Sequence, residues 1–477
     1  MLRKNQWMTD LAYLSAAELI ERFTDRSLSP VEYLQAVIDR IERLEPGINA
    51  VVDRRYDEAL SEARQSADRY VHGTARPLDG LPVAVKEEHP MKGRSWTQGS
   101  LALAGEVAPL DHPIVERIQA AGGIVHIRTA TPEFCCTPYC HSRAWGVTRN
   151  PWNTQYSPGG SSGGTGAALA AGYAPIGTGS DIGGSIRIPA SLSGVAGFKP
   201  PWQRVPALPP YNLDQFCHDG PMARTVADCA LLEDVIAGRH WRDIASLPNP
   251  PRVAGAGAEV SGVRVAVCLR LGDWSLDPAV EVNTRRTAEL LAAAGALVEE
   301  VVLPWTMRDV WNTAEAHFHA IMGAGISAVR DEHRDLLSDY TVAFADSMER
   351  AGLGFYEGLE HQGEMWQSLG ELFERFDVLV CPTMATEGYV AGEPYLDGID
   401  VGGRHLWHHI LGAMTLPFNI LSRCPVLSVP SGLGSNGVPT GVQVVARPYD
   451  DAMAFRVGAA VEAVGVGFTH TAWRPAL

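Results

Sequence analysis

A strand–helix–strand pattern over residues 262–303 constrains the fold of this chain most strongly. The apolar run GVRVAVCL is followed by the amphipathic stretch DPAVEVNTRRTAELLAAAG and then by a second apolar run, ALVEEVVL. Two strands joined through a helix run parallel in one sheet, because such a crossover needs a dozen or more residues. The apolar stretch LPVAVKEE (81–88) and the helix-to-strand stretch 114–130 repeat the alternation. The sequence therefore predicts the α/β class, with a mixed, mostly parallel central sheet covered by helices on both faces.

Capping signals predict two amphipathic helices near the N-terminus, over residues 15–45. Ser15 is followed three residues later by Glu18, which is the pattern of a capping box. Ser29 followed by Pro30 marks the start of the second helix, since proline is favoured at the first helical position. A cleavable leader is not expected, because acidic residues interrupt the first apolar stretch and no small-residue cleavage site follows it.

Composition and charge narrow the classes of function. The chain has 39 Lys and Arg against 55 Asp and Glu, a net charge of −16, and no local basic patch, so a nucleic-acid partner is not expected. No uncharged apolar run reaches the length of about 18 residues that a membrane span needs. The eight cysteines are scattered, which favours free thiols in a reducing cytoplasm. These features predict a cytoplasmic protein.

Two glycine-rich segments contain serines that are candidates for chemistry. GGSSG (159–163) matches the G-x-S-x-G pattern, but the preceding NTQYSP is not typical of a strand, which disfavours a serine–histidine–acid triad. GTGSDIGGSIRIP (177–189) surrounds Ser185 with glycines, whose backbone N–H groups are able to bind an oxyanion. A tight structural turn is the alternative interpretation of this second segment.

Lys86 is the candidate base for Ser185. A serine hydroxyl is a weak nucleophile unless a base takes its proton, and no histidine lies in the segment around Ser185. Lys86 ends an apolar strand, where active-site groups of open α/β sheets are found, and serine–lysine pairs are a known solution. To act near neutral pH, its pKa must fall by about three units, and burial has this effect. The alternative role for Lys86 is a structural ion pair.

Two clusters of cysteine and histidine do not have the spacing of a metal site. Their members are Cys135, Cys136, Cys140 and His141 in CCTPYCH, and His405, His408 and His409 in HLWHH. Neither cluster matches the ligand spacing of zinc sites. No metal is therefore expected.

Taken together, Lys86 and the two serine segments resemble the amidase signature family of serine hydrolases. The matching pieces, in the family's order, are GLPVAVKE with Lys86, SPGGSSGG with Ser161 and Ser162, and GSDIGGSIRIPASLSGVAGFKP with Ser185. Further matches are GVTRNPWN (146–153), GPMARTVADCALL (220–232), CPVLSVPSG (424–432) and GVPTGVQVVARPYDD (437–451). The resemblance covers nearly the whole chain.

The resemblance implies a Ser–cisSer–Lys triad. Ser185 would attack the amide carbonyl, Ser161 on a non-proline cis peptide would relay the proton, and Lys86 would accept it. The oxyanion hole would be formed by the backbone N–H groups of Ile182, Gly183, Gly184 and Ser185. The residues that would support the loop without reacting are Ser162, Asp181 and Arg187. Water would hydrolyse the acyl-enzyme, so the resemblance implies neither a cofactor nor a metal.

The implied organisation is a single amidase signature domain over residues 1–477. Within it, residues 1–55 would form an N-terminal helical segment, 75–235 the core that carries the triad, and 304–405 a variable region shaping the substrate pocket. The implied activity is hydrolysis of a small-molecule carboxylic amide to an acid and an amine or ammonia, with ester hydrolysis as a side activity and a homodimer as the assembly. Aromatic residues that are candidates for the pocket or the core are Tyr139, Tyr211, Phe216, Trp305, Trp311, Trp366 and Trp407.

Departures from the family pattern concern the substrate. Glu87-Glu88-His89 follows the lysine where the family often has Asp-Asn. Thr165 replaces a frequent serine, and SLSG (191–194) stands where a small residue, Phe and Cys are common. Two other functions stay open: the amide-hydrolysing subunit of a tRNA-dependent amidotransferase with partner subunits, and an inactive binding protein of the same fold.

Overall fold

The computed structural model describes residues 11–248, 250–350 and 352–477. Residues 1–10 of the predicted N-terminal helical segment lie outside the described residues. The strands are β1 (Val51–Arg54), β2 (Pro82–Lys86), β3 (Ile124–Thr129), β4 (His141–Ser142), β5 (Gly146–Val147), β6 (Ile176–Asp181), β7 (Ala196–Lys199), β8 (His218–Ala223), β9 (Arg264–Val267), β10 (Leu297–Glu300), β11 (Val378–Pro382), β12 (Ile399–Val401), β13 (Arg404–Leu406), β14 (Val426–Leu433) and β15 (Pro439–Ala446).

The helices connect and cover these strands. They are α1 (Ala16–Thr24), α2 (Pro30–Ile48), α3 (Tyr56–His72), α4 (Pro113–Ala120), α5 (Gly163–Ala170), α6 (Arg187–Ser193), α7 (Val226–Ile236), α8 (Pro278–Ala293), α9 (Met307–Phe318), α10 (Ala324–His333), α11 (Asp339–Met348), α12 (Phe355–Arg375), α13 (Pro417–Ile420) and α14 (Asp451–Val464). Among the described residues, no helix combines the length and the apolar character that crossing a membrane requires.

Eleven strands form one mixed sheet in the order β1-β3-β2-β6-β8-β7-β14-β15-β11-β9-β10. The parallel pairs are those of β2 with β3 and β6, and those of β9 with β10 and β11. The strands between these two blocks pair antiparallel, as do β1 with β3 and β11 with β15. The α/β class and the mixed central sheet are confirmed. The predicted parallel pairing holds for the two blocks but not for the strands between them. There β14 and β15 pair antiparallel, because a short connection joins them.

Burial along whole strands shows that both faces of the sheet are covered. Every residue of β2, β6, β8 and β15 is buried. Because successive side chains of a strand face opposite sides, such strands have protein on both faces. Helix α7 packs against β8, and α14 packs against β14 and β15.

The local signals in the sequence correspond to the elements that form. The Ser15 side chain accepts the N–H of Glu18, and the Glu18 carboxylate accepts the N–H of Ser15, so the predicted capping box at α1 is confirmed. Pro30 is the first residue of α2, which Ser29 caps. The stretch 262–303 folds as β9, α8 and β10, with the two strands parallel.

Two neighbouring parallel strands bring the candidate residues to one edge of the sheet. β2 ends at Lys86 and β6 ends at Asp181, and the two strands pair in parallel. Their carboxyl ends therefore meet at the same edge, which is where ligands bind in open α/β sheets. The loop before α5 contains Ser161, and the loop between β6 and α6 contains Ser185.

Candidate active site

Lys86 is fully buried, and its ammonium group has three acceptors. Nζ donates to Ser161 Oγ at 2.7 Å and to Ser180 Oγ at 2.7 Å, and it lies 2.8 Å from Glu88 Oε2. The Ser180 hydroxyl in turn donates to the same oxygen of Glu88. Since an ammonium group has three N–H donors, each of its protons has a partner here.

The two candidate serines lie on adjoining loops. The Gly160–Ser161 peptide bond is cis, the conformation that the resemblance implies for this position. The Ser162 N–H donates to the Ser185 carbonyl oxygen at 3.1 Å, which holds the two loops together. Ser185 is 7% exposed and lines a cavity, and within the described part of the chain its hydroxyl has no hydrogen-bond partner. Lys86 and Ser161 are thus in direct contact, and the Ser185 hydroxyl is unconstrained.

The pKa of Lys86 contradicts the expectation from the sequence. Burial acts to lower it, as predicted, but Cys135 and Glu88 outweigh burial and raise the pKa above the ordinary value of a lysine. Burial raises the pKa of the Cys135 thiol to about 12, so Glu88 is the neighbour that is charged at neutral pH. Burial would raise the pKa of Glu88 as well, but Lys86 lowers it to about 2. The predicted fall in the lysine pKa is therefore wrong, and the resting site contains an ammonium–carboxylate pair.

Three of the four predicted oxyanion donors are available in the loop after β6. These are the backbone N–H groups of Ile182, Gly183 and Ser185, which make no hydrogen bond to any of the described residues. The Gly184 N–H instead donates to Asp181 Oδ1 at 2.8 Å. The expectation of four available donors is wrong for Gly184, because the carboxylate that ends β6 takes its proton.

The Asp181–Arg187 ion pair organises this loop and is completely buried. Arg187 Nη2 lies 2.8 Å from Asp181 Oδ1, and Nε lies 2.9 Å from Oδ2. Burial would raise the pKa of Asp181, but Arg187 and Asn419 hold it well below its usual range. Arg187 also donates to Gln443 Oε1, so every charged atom of the pair is satisfied. The Ser162 hydroxyl meets the backbone of the neighbouring strand end, accepting the Ser180 N–H at 3.3 Å.

Arg187→Met is expected to lower the free energy of unfolding by about 3–5 kcal/mol, since removing one partner leaves a buried charge uncompensated. Denaturant unfolding at neutral pH measures the loss. Arg285→Met is the matched control, because Arg285 forms exposed ion pairs with Glu281 and Glu300. Its expected loss is about 1 kcal/mol or less. Equal losses in the two variants would contradict a supporting role for the buried pair.

Ser185 opens on a narrow cavity of about 40 Å³ with largely apolar walls. The large apolar side chains in these walls are Trp311, Phe318, Met322, Phe344 and Ile410. The first four come from the predicted variable region 304–405. No lysine, arginine or carboxylate is among the described residues that line this cavity. Such a cavity is suited to an uncharged group.

The remaining sequence candidates are distributed between the cavities, the core and the surface. Cys135, Cys136 and His408, from the two clusters without metal-site spacing, line the cavity at Ser185. Of the aromatic candidates, Trp311 lines this cavity and Tyr211 lines a second one beside Glu88. Those buried in the hydrophobic core are Tyr139, Phe216 and Trp305. Trp407 packs partly buried against the core, and Trp366 is exposed.

Sequence reasoning missed two groups that contact Lys86, namely Glu88 and Ser180. In the sequence, Glu88 stands out only as a departure from the family pattern. Glu88 lies in the turn after β2, where the alternation of strand faces no longer applies, so its contact with Lys86 had no signal beyond closeness in sequence. Ser180 lies one residue before Asp181, and only the pairing of β2 with β6 brings it to the lysine.

The arrangement is suited to acyl transfer. A hydroxyl at a cavity, backbone N–H donors beside it and a second hydroxyl bonded to an amine are the parts that such chemistry needs. None of these parts depends on a metal ligand or a cofactor.

Comparisons with known proteins agree with this description. A family model described as Amidase matches residues 32–455. A glutamyl-tRNA(Gln) amidotransferase subunit of Chloroflexus aggregans is 34% identical over 96% of this chain and 97% of its own length. An acylamidase of Rhodococcus erythropolis is 31% identical over 95% of this chain and 96% of its own. The crystal structure of a bacterial aryl acylamidase of the amidase signature family superposes with a TM-score of 0.87 at 28% identity, covering 95% of this chain and 96% of that one.

Proposed function

The chain belongs to the amidase signature family of hydrolases that act on carbon–nitrogen bonds, and we propose that it hydrolyses a small-molecule carboxylic amide through a Ser185 acyl-enzyme. In this proposal Ser161 relays the proton and Lys86 is the base. The observation that carries it is the 2.7 Å contact between Lys86 Nζ and Ser161 Oγ, next to a serine whose hydroxyl is free at a cavity.

The proposed reaction begins with attack of Ser185 Oγ on the amide carbonyl. The Ser185 proton passes to Ser161 Oγ, and the Ser161 proton passes to the neutral amine of Lys86. The carbonyl oxygen becomes an oxyanion, which the free N–H groups of the loop after β6 stabilise. The intermediate then expels the amine, which takes a proton from Ser161 while Lys86 returns one to Ser161. Water then attacks the acyl-enzyme, and its proton passes through Ser161 to Lys86. The acid is released as Ser185 regains its proton by the same relay.

The Ser185 hydroxyl must rotate toward Ser161 before attack, because no bond between them is present in the resting structure. Catalytic hydrogen bonds are often longer without substrate and tighten in the reactive complex. The rotation breaks no hydrogen bond, since Ser185 Oγ has no partner among the described residues. Ester substrates are expected to react by the same path.

Glu88→Gln is expected to shift the acidic limb of the pH profile of kcat/KM to lower pH. The reactive form has a neutral Lys86, so activity rises as the pH increases through the lysine pKa. The Glu88 carboxylate raises that pKa, and its removal is expected to lower the pKa. The measurement is kcat/KM for one amide from about pH 7 to pH 12, a range that extends above the ordinary lysine pKa of about 10.4 because the pKa of Lys86 is raised further.

The control for this prediction is Glu289→Gln, which removes an exposed carboxylate on α8 far along the sheet. Its profile is expected to coincide with that of the unsubstituted protein. A Glu88→Gln profile that is unshifted, or shifted to higher pH, would contradict the assignment of Lys86 as the base.

A second candidate function is the amide-hydrolysing subunit of a tRNA-dependent amidotransferase, which the similarity to the Chloroflexus aggregans relative favours. The name of that relative refers to a tRNA and marks it as one subunit of an assembly. The net charge of this chain, in contrast, leads us to expect no nucleic-acid partner. The apolar cavity at Ser185 supports the free-standing amidase, because glutamine carries a charged amino-acid head group. The discriminating measurement is hydrolysis of glutamine against that of simple acyl amides by the chain purified alone.

Labelling with a fluorophosphonate serine-hydrolase probe tests the proposed nucleophile. Peptide mapping is expected to place one adduct on Ser185 and to find little adduct in Lys86→Ala, since the hydroxyl then lacks its base. An adduct on Ser161 or Ser162 would overturn the assignment of roles. A protein that is labelled but hydrolyses only glutamine would favour the amidotransferase function.

A further inference from the structure

A second, larger cavity of about 350 Å³ is lined by Glu88 but by neither Ser161 nor Ser185. Its lining residues come from the segment after β2, from the segment before α4 and from residues 207–219. Its walls are mostly apolar and include Trp96, Leu110 and Tyr211. Its titratable groups other than tyrosine and cysteine are the side chains of Glu88, His89, His112 and Asp219. The proposed reaction uses none of these groups except Glu88.

Glu88 has one carboxylate oxygen that is not used by the lysine. Oε2 accepts from Lys86 and from Ser180, whereas Oε1 has no partner among the described residues. The side chain is 24% exposed although Lys86 is completely buried, and it lines the cavity. A hydrogen-bond donor in the cavity therefore has an ionised acceptor that is not yet satisfied.

Asp219 is a second carboxylate at the cavity, and two imidazoles flank it. His89 Nε2 lies 2.9 Å from Asp219 Oδ1, and His112 Nε2 lies 3.4 Å from Asp219 Oδ2. His112 Nδ1 accepts the N–H of Ile114 at the start of α4, so the proton of the neutral ring is on Nε2, the nitrogen that faces Asp219. Burial keeps His112 neutral by lowering its pKa to about 3. Because His112 is neutral, it does not offset the negative charge of Asp219.

His89, His112 and Asp219 also have the residue types of a metal site, and their ligand atoms lie within 4.8 Å of one another. A metal at His112 Nε2 would require the proton on Nδ1, where it would oppose the Ile114 N–H. The hydrogen bond that caps α4 thus favours the tautomer of His112 with its proton on Nε2, which is not the form that binds a metal at that atom.

The charge balance of the cavity favours a cation. Two carboxylates line it, and no lysine or arginine is among the described residues that do so. The ammonium group of Lys86 is buried behind Glu88 and offsets much of the charge of that carboxylate, which leaves Asp219 as the carboxylate of the cavity that has no lysine or arginine partner among the described residues. Trp96 and Tyr211 add aromatic faces, which attract cations.

We propose that this second cavity binds a positively charged group, such as an ammonium, on the amine side of the amide substrate. The inference rests on the proposed function, because that function assigns proton delivery to the leaving amine to Ser161 and Lys86. Glu88 contacts Lys86, which belongs to the relay that delivers this proton. The apolar cavity, in contrast, is lined by Ser185 and the loop with the oxyanion donors. The acyl group then occupies the apolar cavity, and the leaving amine extends past Lys86 toward Glu88 and Asp219.

A matched pair of amides tests the proposal without requiring turnover. N-(5-aminopentyl)acetamide carries an ammonium group where N-hexylacetamide has a methyl group. Calorimetric titration of both into Ser185→Ala, at physiological ionic strength, is expected to give at least about tenfold tighter binding of the ammonium compound, a charge-assisted contact of about 1.4 kcal/mol. Asp219→Asn and Glu88→Gln, each combined with Ser185→Ala, are expected to reduce this preference severalfold.

The control variant is Glu289→Gln in the same background, which changes the net charge equally at an exposed position on α8 and is expected to keep the full preference. Binding of N-hexylacetamide by each variant reports whether the cavities are still formed. Equal affinities for the two amides, no detectable binding of the ammonium compound, or a preference that survives both carboxylate substitutions would overturn the proposal. If the cation preference is present but the unsubstituted protein hydrolyses neither these amides nor other amides, the proposed function fails and the cation site stands.

Discussion

Ser185→Ala is expected to lower kcat/KM for amide hydrolysis by about 10⁵-fold or more, since loss of a nucleophile removes the covalent path entirely. The residual rate would come from the oxyanion donors and from substrate binding, which alone still accelerate hydrolysis. Fold and affinity are expected to be retained, because the Ser185 hydroxyl makes no hydrogen bond within the described residues. The measurement is kcat/KM for one amide, together with the loss of the fluorophosphonate adduct.

Ser191→Ala is the matched control for this variant. Ser191 is a buried serine on α6, close to Ser185 along the chain, and its hydroxyl likewise has no partner among the described residues. Its removal is expected to leave kcat/KM within about twofold, since a surplus buried hydroxyl contributes little. Activity in Ser185→Ala within about tenfold of the unsubstituted protein would remove the proposed mechanism, because a lost nucleophile costs far more than this.

Lys86→Ala is expected to lower kcat/KM for amides by about 10⁴-fold, the upper range for a general acid–base group. Two steps are lost together, because without Lys86 the Ser161 hydroxyl neither takes up the Ser185 proton nor delivers one to the leaving amine. A p-nitrophenyl ester is expected to lose less, since its leaving group departs as an anion without protonation. The measurement compares the two losses for the same acyl group.

The control for Lys86→Ala is Lys92→Ala, which removes an exposed lysine from the same segment and is expected to have no effect on either substrate. Removal of Lys86 also leaves the Glu88 carboxylate without its ammonium partner, so folding is checked by thermal unfolding before rates are compared. Equal losses for the amide and the ester would mean that Lys86 acts only in the attack of Ser185 and not in protonation of the leaving amine. Unchanged amide hydrolysis would contradict its role as the base.

The ion pair between Lys86 and Glu88 is expected to make the activity depend on pH. Glu88 stabilises the protonated form of Lys86, which cannot accept a proton in the proposed mechanism, so the reactive fraction is expected to increase with pH. A bound cationic group next to Glu88 would compete for the carboxylate and lower the pKa of Lys86. If cationic substrates bind in the second cavity as proposed, they would therefore also favour the neutral form of Lys86.

Much of the fold could be predicted because its signals are local. The helix caps at Ser15 and Ser29 and the β9–α8–β10 unit depend on residue types within a few positions of one another. The antiparallel centre of the sheet was not predicted, since the partners of β7 and β8 depend on strands distant in sequence.

At the site, the sequence identified the residues but not their electrostatics. Lys86 at a strand end and the glycine-rich serine loops were evident from the chain alone, and the structure brings Lys86 to Ser161. The protonation state of Lys86 and the engagement of the Gly184 N–H were predicted wrongly. A carboxylate causes each error: Glu88 raises the pKa of Lys86, and Asp181 accepts the Gly184 N–H. The direction in which these two side chains point cannot be read from their positions in the sequence.

By itself the sequence determined the α/β class, the membership of a hydrolase family and the set of residues from which a site can be built. Only the tertiary structure decided which donors are free, where the charges lie, and that one cavity lies at Ser185 while a second, with two carboxylates in its walls, lies at Glu88. The reason is physical: helix and strand patterns are set by neighbours a few residues apart. The charge state of a buried group, in contrast, depends on every side chain within a few ångströms. For Lys86 these are Glu88 in the turn after β2, Ser161 in the loop before α5 and Ser180 on β6, and the two serines are 75 and 94 residues away in sequence.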